Sequence, residues 1–198
     1  MADTGAPHFI PYVEPTDLVR EYPAADEASA FAVAAALDAA GNAGIGSNVV
    51  QTVKTDTFTT ASTSFVAVTG LAVTITPTSN ASKVLVSGFV NWNRRRSASQ
   101  GATMRLMRGA TPIAVGDAVG SRLQSTASAG LVTNDRGSGV WSFEFLDSPS
   151  TDGATVYSVE VATSTDTLAI NTGSDDGNTS SAFVARTVSA ITAIEVAP

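Results

Sequence analysis

From Val49 onward the chain keeps one period, and that period is two. Val84, Val86, Val90 and Trp92 alternate with Ser87, Asn91 and Asn93. Trp141, Phe143 and Phe145 alternate with Ser142 and Glu144, and Tyr157, Val159 and Val161 with Ser158 and Glu160. Successive strand side chains point to opposite faces, so runs of this kind make half-buried strands. Phe65, Leu71, Val73 and Ile75 share one face of a segment that ends at Pro77, and Thr192, Ile194 and Val196 form the last alternation. Turn residues separate the runs at Thr78-Ser79-Asn80, Arg108-Gly109, Gly137-Ser138-Gly139, Asp152-Gly153 and Asp175-Asp176-Gly177-Asn178. Eight or nine strands with no helix between them predict a mainly β fold, a jelly-roll-like antiparallel sandwich over 49–198. The 25 Thr and 22 Ser support it, since Thr suits a pleated surface and Ser suits turns. The stretch Gly116 to Gly139 reads as one long loop, which on a β scaffold is a place for function.

Before this body the chain has a different character. Pro7, Pro11 and Pro15 fix their own φ and hold their predecessors extended, so 8–13 is an extended apolar strip. Pro23 opens a helix over Ala24 to Ala40, with Asp26 and Glu27 near its N-terminus and Gly41 as its stop. Three segments follow: an attachment arm and helix (1–41), a Gly-rich joint (42–48) and the sandwich (49–198). The charge divides in the same place. Met1 to Asn48 holds seven acids and one base, a net −6, and Val49 to Pro198 holds eleven acids and ten bases, a net −1. Phe9, Ile10, Tyr12, Val13, Leu18, Phe31 and Leu37 are the arm's large apolar residues. The arm is too short to bury them itself, so it calls for a docking surface on a partner.

Composition excludes several chemistries. A near-neutral body on an acidic arm offers no basic face for nucleic acid or for anionic lipid. No secretory signal is expected, since the first nineteen residues lack Lys and Arg, and Ala30 to Leu37 is too short to span a bilayer. The triplets Asn80-Ala81-Ser82 and Asn178-Thr179-Ser180 are therefore read as chance matches to the glycosylation pattern. With no cysteine, thiolate catalysis and Cys-based metal sites are out. His8 is the one histidine and lies in the arm, so no Ser-His-Asp triad forms in the body.

Glu144 and Glu160 are the mid-strand acids that a glycosidase pair would need. Both alternate with apolar neighbours and should face away from the core. Asp175-Asp176-Gly177-Asn178 carries oxygen donors without the spacing of a calcium loop. No catalytic residue, metal or cofactor is expected. Trp92 and Trp141 continue apolar faces and belong in the core. Three groups of polar loop residues are candidates for contact with a partner surface: Asn93, Arg94, Arg95 and Arg96 as a charged tip, Asn134, Asp135 and Arg136 in the long loop, and Asp175, Asp176 and Asn178 in the last turn. The arginines suit an anionic glycan or an acidic protein surface.

Val49 to Phe58, Ser64 to Leu71, Val73 to Pro77 and Ser82 to Val86 together resemble the β domain of tailed-bacteriophage fibre and virion proteins. Arg105 to Gly109, Phe145 to Pro149 and Ile191 to Val196 fit the same pattern, and Pro11 to Val19 resembles the attachment segments of such proteins. The resemblance implies a homotrimeric, non-catalytic knob of sandwich subunits, assembled in the host cytoplasm. Its N-terminal arm would mount it on a tail, neck or capsid protein of the virion. Two roles follow, a receptor-binding tail fibre and a capsid decoration protein that stabilises the shell. A small polysaccharide depolymerase is the enzymatic alternative.

Overall fold

The computed structural model describes residues 29–35, 48–95, 100–131, 136–173, 177, 178, 180 and 184–198. The chain divides into two units, Met1–Asn42 and Ala43–Pro198. In the first, residues 29–35 are helical, with Phe31 and Val33 exposed. Phe9, Ile10, Tyr12, Val13, Leu18 and Leu37, the rest of the expected helix and the Gly41 stop lie outside the described residues.

The second unit is an antiparallel sandwich of jelly-roll-like form. Eleven strands are described: β1 (Val49–Lys54), β2 (Phe58–Thr60), β3 (Val66–Ile75), β4 (Lys83–Arg95), β5 (Gln100–Arg108), β6 (Thr111–Ile113), β7 (Ala127–Leu131), β8 (Arg136–Asp147), β9 (Thr155–Thr163), β10 (Thr167–Ile170) and β11 (Ser189–Val196). One sheet runs β1-β11-β4-β10-β2, with β8 along the other edge of β4. The second runs β3-β9-β5-β6, with β7 also on β5. The core between them is the set the alternation selects. Val84, Val86, Val90, Trp92, Trp141 and Phe143 from the first sheet meet Leu71, Ile75, Met104, Leu106, Tyr157 and Val159 from the second. The two indoles stack with centroids 5.1 Å apart.

Five expectations are corrected. The strand count falls short because β2, β6 and β10 are three or four residues long, and β7 is short and mostly Ala and Gly. The supposed loop 116–139 contains β7 and the start of β8. Gly137-Ser138-Gly139 is no turn: it is strand, paired with Arg94, Asn93 and Trp92. Gly139 stands opposite Trp92, and a Cβ there would sit 2.8 Å from the indole. The glycine lets the ring lie flat across the strand, as aromatic rings do over sheet glycines.

Phe65 also leaves the face assigned to it. Between Ala67 opposite Glu160 and Ala72 opposite Ser158, β3 advances five residues while β9 advances two. The odd surplus flips the parity of the strand, so Val68 is buried before the bulge and Leu71, Val73 and Ile75 after it. Gly70, at φ +79°, takes the left-handed turn this requires. In β11 the inward set is Ile191, Ala193 and Glu195, not Thr192, Ile194 and Val196. Both faces of that segment are apolar enough to bury, so alternation alone does not choose between them. Ile191 fits because its partner Gly88 has no side chain, and Glu195 finds hydrogen-bond donors inside.

Candidate binding cleft and buried polar clamps

The outer face of the second sheet carries a cleft of about 430 Å³. Its floor comes from strand register: Thr103 on β5 lies opposite Ser128 on β7 and Ala162 on β9. Gly101 continues the floor, and small side chains along three neighbouring strands leave the space open. The rim comes from Thr63 and from Arg122, Leu123 and Ser125 of the segment before β7. Arg122 and Leu123 are exposed, and no ion pair of Arg122 is found among the described residues. The lining is thus uncharged hydroxyls and methyl groups with one guanidinium at the edge. Apolar atoms dominate the exposed lining, so it suits a ligand that lays carbon atoms on the floor and turns a polar or negative group to the hydroxyls and Arg122.

Beside it, Glu160 accepts an ion pair from Arg105 at 2.7 Å, and the Arg105 guanidinium lies 4.2 Å above the Phe65 ring. Phe65 is therefore a platform for a cation, which explains its outward position. Glu144 is exposed on β8, in the other sheet. The two acids face outward from opposite sides of the sandwich, so they cannot flank one scissile bond.

Among the buried polar groups that escaped the sequence reading, two centres tie several strands together. Glu195 is 1 % exposed. It accepts from the Thr78 amide at 2.7 Å, the Thr78 hydroxyl at 2.6 Å and the Asn48 amide nitrogen at 3.2 Å. Asn48 also donates to Thr76 at 2.7 Å. Burial pushes the Glu195 carboxyl up, but donation from Thr78, Ser82 and Asn48 outweighs it and holds the group below its ordinary 4.5. Ser82 acts here by proximity, since its buried hydroxyl lies outside strict hydrogen-bond geometry. The clamp ties the last strand to the β3–β4 turn and to the entry of β1.

Asn171 is the second centre, fully buried at φ 60°. Its side-chain nitrogen donates to the carbonyls of Lys54 at 2.8 Å and Asp56 at 3.2 Å, and its oxygen accepts from Ser189 at 2.6 Å. Its backbone amide donates to Asn91 at 3.0 Å. One residue thus joins β10, β11, β4 and the β1–β2 connection. Asparagine tolerates positive φ better than other residues with a Cβ. The sequence signal was an isolated Asn after Leu-Ala-Ile, which marks a strand end and no more.

The candidate contact residues are placed unevenly. Asn93, Arg94 and Arg95 are strand residues of β4, paired with β8 and β10, and Asn93 is buried. Arg136 begins β8 opposite Arg95. These four are therefore not loop residues. The alternation continues through the polar run, and backbone pairing on both edges of β4 extends it beyond the apolar core. Asn178 is exposed, as expected of a turn. Arg96, Asn134, Asp135, Asp175 and Asp176 lie outside the described residues. Among the described residues no group of three or more acidic or histidine side chains could hold a metal ion, and no helix is long and apolar enough to cross a membrane.

No protein-family model matches the chain, and no curated protein does. Among solved structures it is similar to chains of infectious bursal disease virus particles. The T13 viral particle gives 14% identity and a TM-score of 0.35 over 76% of this chain and 39% of that one. The T=1 particles derived from the virus give 15% and 0.34 over 77% and 41%. The chain thus spans about two fifths of the length of the chains it matches. A likeness of that size does not bear on function.

Proposed function

We propose that this chain is a bacteriophage virion structural protein, a homotrimeric tail-fibre knob that binds a receptor and is mounted on the particle by its N-terminal arm. The observation that carries the receptor-binding part is the cleft over β7, β5 and β9. It is concave, lined with hydroxyls and methyl groups, edged by Arg122, and built partly from the 116–139 stretch singled out from sequence. The sandwich supplies a rigid scaffold, and the acidic, proline-spaced arm supplies a mount distinct from it. The resemblance of 49–196 to phage fibre domains points the same way. The mechanism is multivalent: three weak clefts on one trimer act together and gain orders of magnitude in avidity. The ligand class is a host-surface glycan with an acidic group.

The second reading is a capsid decoration protein. It is favoured by Phe31 and Val33, apolar residues exposed at 72% and 59% on the helix, which suit a clamp on neighbouring shell subunits. Depolymerase activity is disfavoured by the separation of Glu144 and Glu160. Reconstruction of the labelled particle tests the assignment. Density on the tail, lost when 1–41 is deleted, is the expected result. Density over the capsid axes overturns the fibre role in favour of decoration. Arg122→Glu should reduce adsorption to host cells about tenfold or more while leaving incorporation intact, the loss expected when a charge-assisted contact becomes repulsive. Unchanged adsorption would remove the cleft from the proposal.

A further inference from the structure

The outer face of the first sheet has a composition that a solvated sheet does not need. Strand register places its outward residues in rows across β1, β11, β4 and β8. The first row is Val49, Ile194, Leu85 and Leu146, and a second is Val53, Ala190, Phe89 and Ser142. Between them run Gln51, Thr192, Ser87 and Glu144, and Val140 follows on β8 opposite Asn91. Val49, Val53, Val140 and Leu146 are exposed at 52, 50, 54 and 46%, and Phe89 at 37%. Glu144 is the one ionisable side chain in these rows. Among the described residues β8 pairs with β4 alone.

We propose that this face is the surface through which copies of this chain pack against one another, so that in the assembled knob it turns toward the symmetry axis. The inference rests on the homotrimeric reading above and names its interface. Three features select a second copy as the occupant. The face carries apolar rows across four strands, so the same face on a second copy offers like side chains to bury against it. It is almost uncharged, so it offers no complementary field to a charged partner, and the body that bears it is only −1 between Val49 and Pro198.

Its size also fits. Four strands about 4.8 Å apart, followed over some eight residues of about 3.4 Å rise, cover roughly 500 Å² in projection. Three such faces turned to one axis remove roughly 1,500 Å² from water in the trimer, above the roughly 1,000 Å² at which a specific interface begins. The cleft on the opposite sheet stays outward in this arrangement, free for a ligand.

The test is the mass of the full chain in solution by light scattering. The wild type is expected at three times 20.1 kDa, and the double variant Val53→Glu/Leu146→Glu at 20.1 kDa with an unchanged circular-dichroism spectrum. Val156→Glu, at a 42% exposed position on the other sheet, should keep the wild-type mass. A double variant that keeps the wild-type mass overturns the interface and leaves the trimer standing. A monomeric wild type overturns both. A dimer that the same variant dissociates supports the face and overturns the three-fold count. If the double variant fails to fold, crosslinking decides. The chain has no cysteine, so Val140→Cys should join copies through a short bismaleimide and Val156→Cys should not. Absence of a Val140→Cys crosslink in an oligomer overturns the proposal.

Discussion

Replacing Glu195 by Gln keeps the shape of the side chain and removes its charge, which isolates the acid clamp. The carboxylate accepts three bonds, two at Oε1 from Thr78 and one at Oε2 from Asn48. The Gln oxygen can serve Thr78, but its NH2 then faces the Asn48 nitrogen, donor against donor. Turning Asn48 to present its oxygen gives up the 2.7 Å bond to Thr76. One charge-assisted bond is lost in either case, and the Thr78 bonds weaken to neutral strength. Hydrogen bonds to charged groups contribute about 1.5–3 kcal/mol each, so the expected loss is about 2 kcal/mol. In a domain of this size that lowers Tm by roughly 4–8 °C.

The pH dependence separates this account from simple repacking. A carboxyl held below 4.5 in the folded state adds stability that is fully present above its unfolded pKa. That stability is lost as pH falls through the folded value. The wild type should therefore lose its advantage over Glu195→Gln on acidification below about 4.5, and the two curves should converge. Urea titration followed by tryptophan fluorescence at neutral and acidic pH measures both. A variant within about 0.5 kcal/mol of wild type at pH 7 would refute the clamp, because it would show the charge contributes no more than the amide. A gap that does not narrow with acid would refute the electrostatic part.

Gly88→Ala should be among the most damaging small substitutions in the chain. Its new methyl meets the Ala190 carbonyl and sits 2.6 Å from the Phe143 ring, so a loss on the order of 3 kcal/mol or insoluble expression is expected. Asn171→Ala removes three side-chain bonds and leaves an alanine at φ 60°; a loss of about 3 kcal/mol by denaturant titration follows. Burial, with the Asp147 carboxylate that accepts its proton at 2.7 Å, pushes the Tyr157 phenol above its ordinary 10.0. Tyr157→Phe should therefore leave the 295-nm alkaline titration of the folded protein unchanged, while costing about 2 kcal/mol in stability. Tyr157 ionising before alkaline unfolding would contradict that environment.

The alternating runs of β4, β8 and β9 were legible because each has one clearly apolar face, and a strand with a single buriable side has one way to sit. Where both faces are buriable, as in Thr192, Ile194 and Val196 against Ile191 and Ala193, the pattern is silent. Phe65 was misplaced for a different reason. A bulge changes parity through backbone geometry, and Gly70 was its one visible trace. Short strands such as β2 and β10 carry too few residues for a period to show. The cleft was legible only as a stretch of chain, 116–139. Its floor is made by register between strands remote in sequence, and no local pattern encodes that.

By itself the sequence determined the class of the fold and its split at about Gly41. Period, turn residues and charge are local properties, and each change falls in that one neighbourhood. Tertiary structure alone decided which polar residues are interior. Glu195 and Asn171 are buried because donors and acceptors from distant segments, Asn48 and Thr78 for one, Lys54, Asp56 and Ser189 for the other, converge on them. It also decided that Val49, Ile194, Leu85 and Leu146 form one row. A row crosses strands, and strand order is set by long-range pairing that alternation within any single strand does not record.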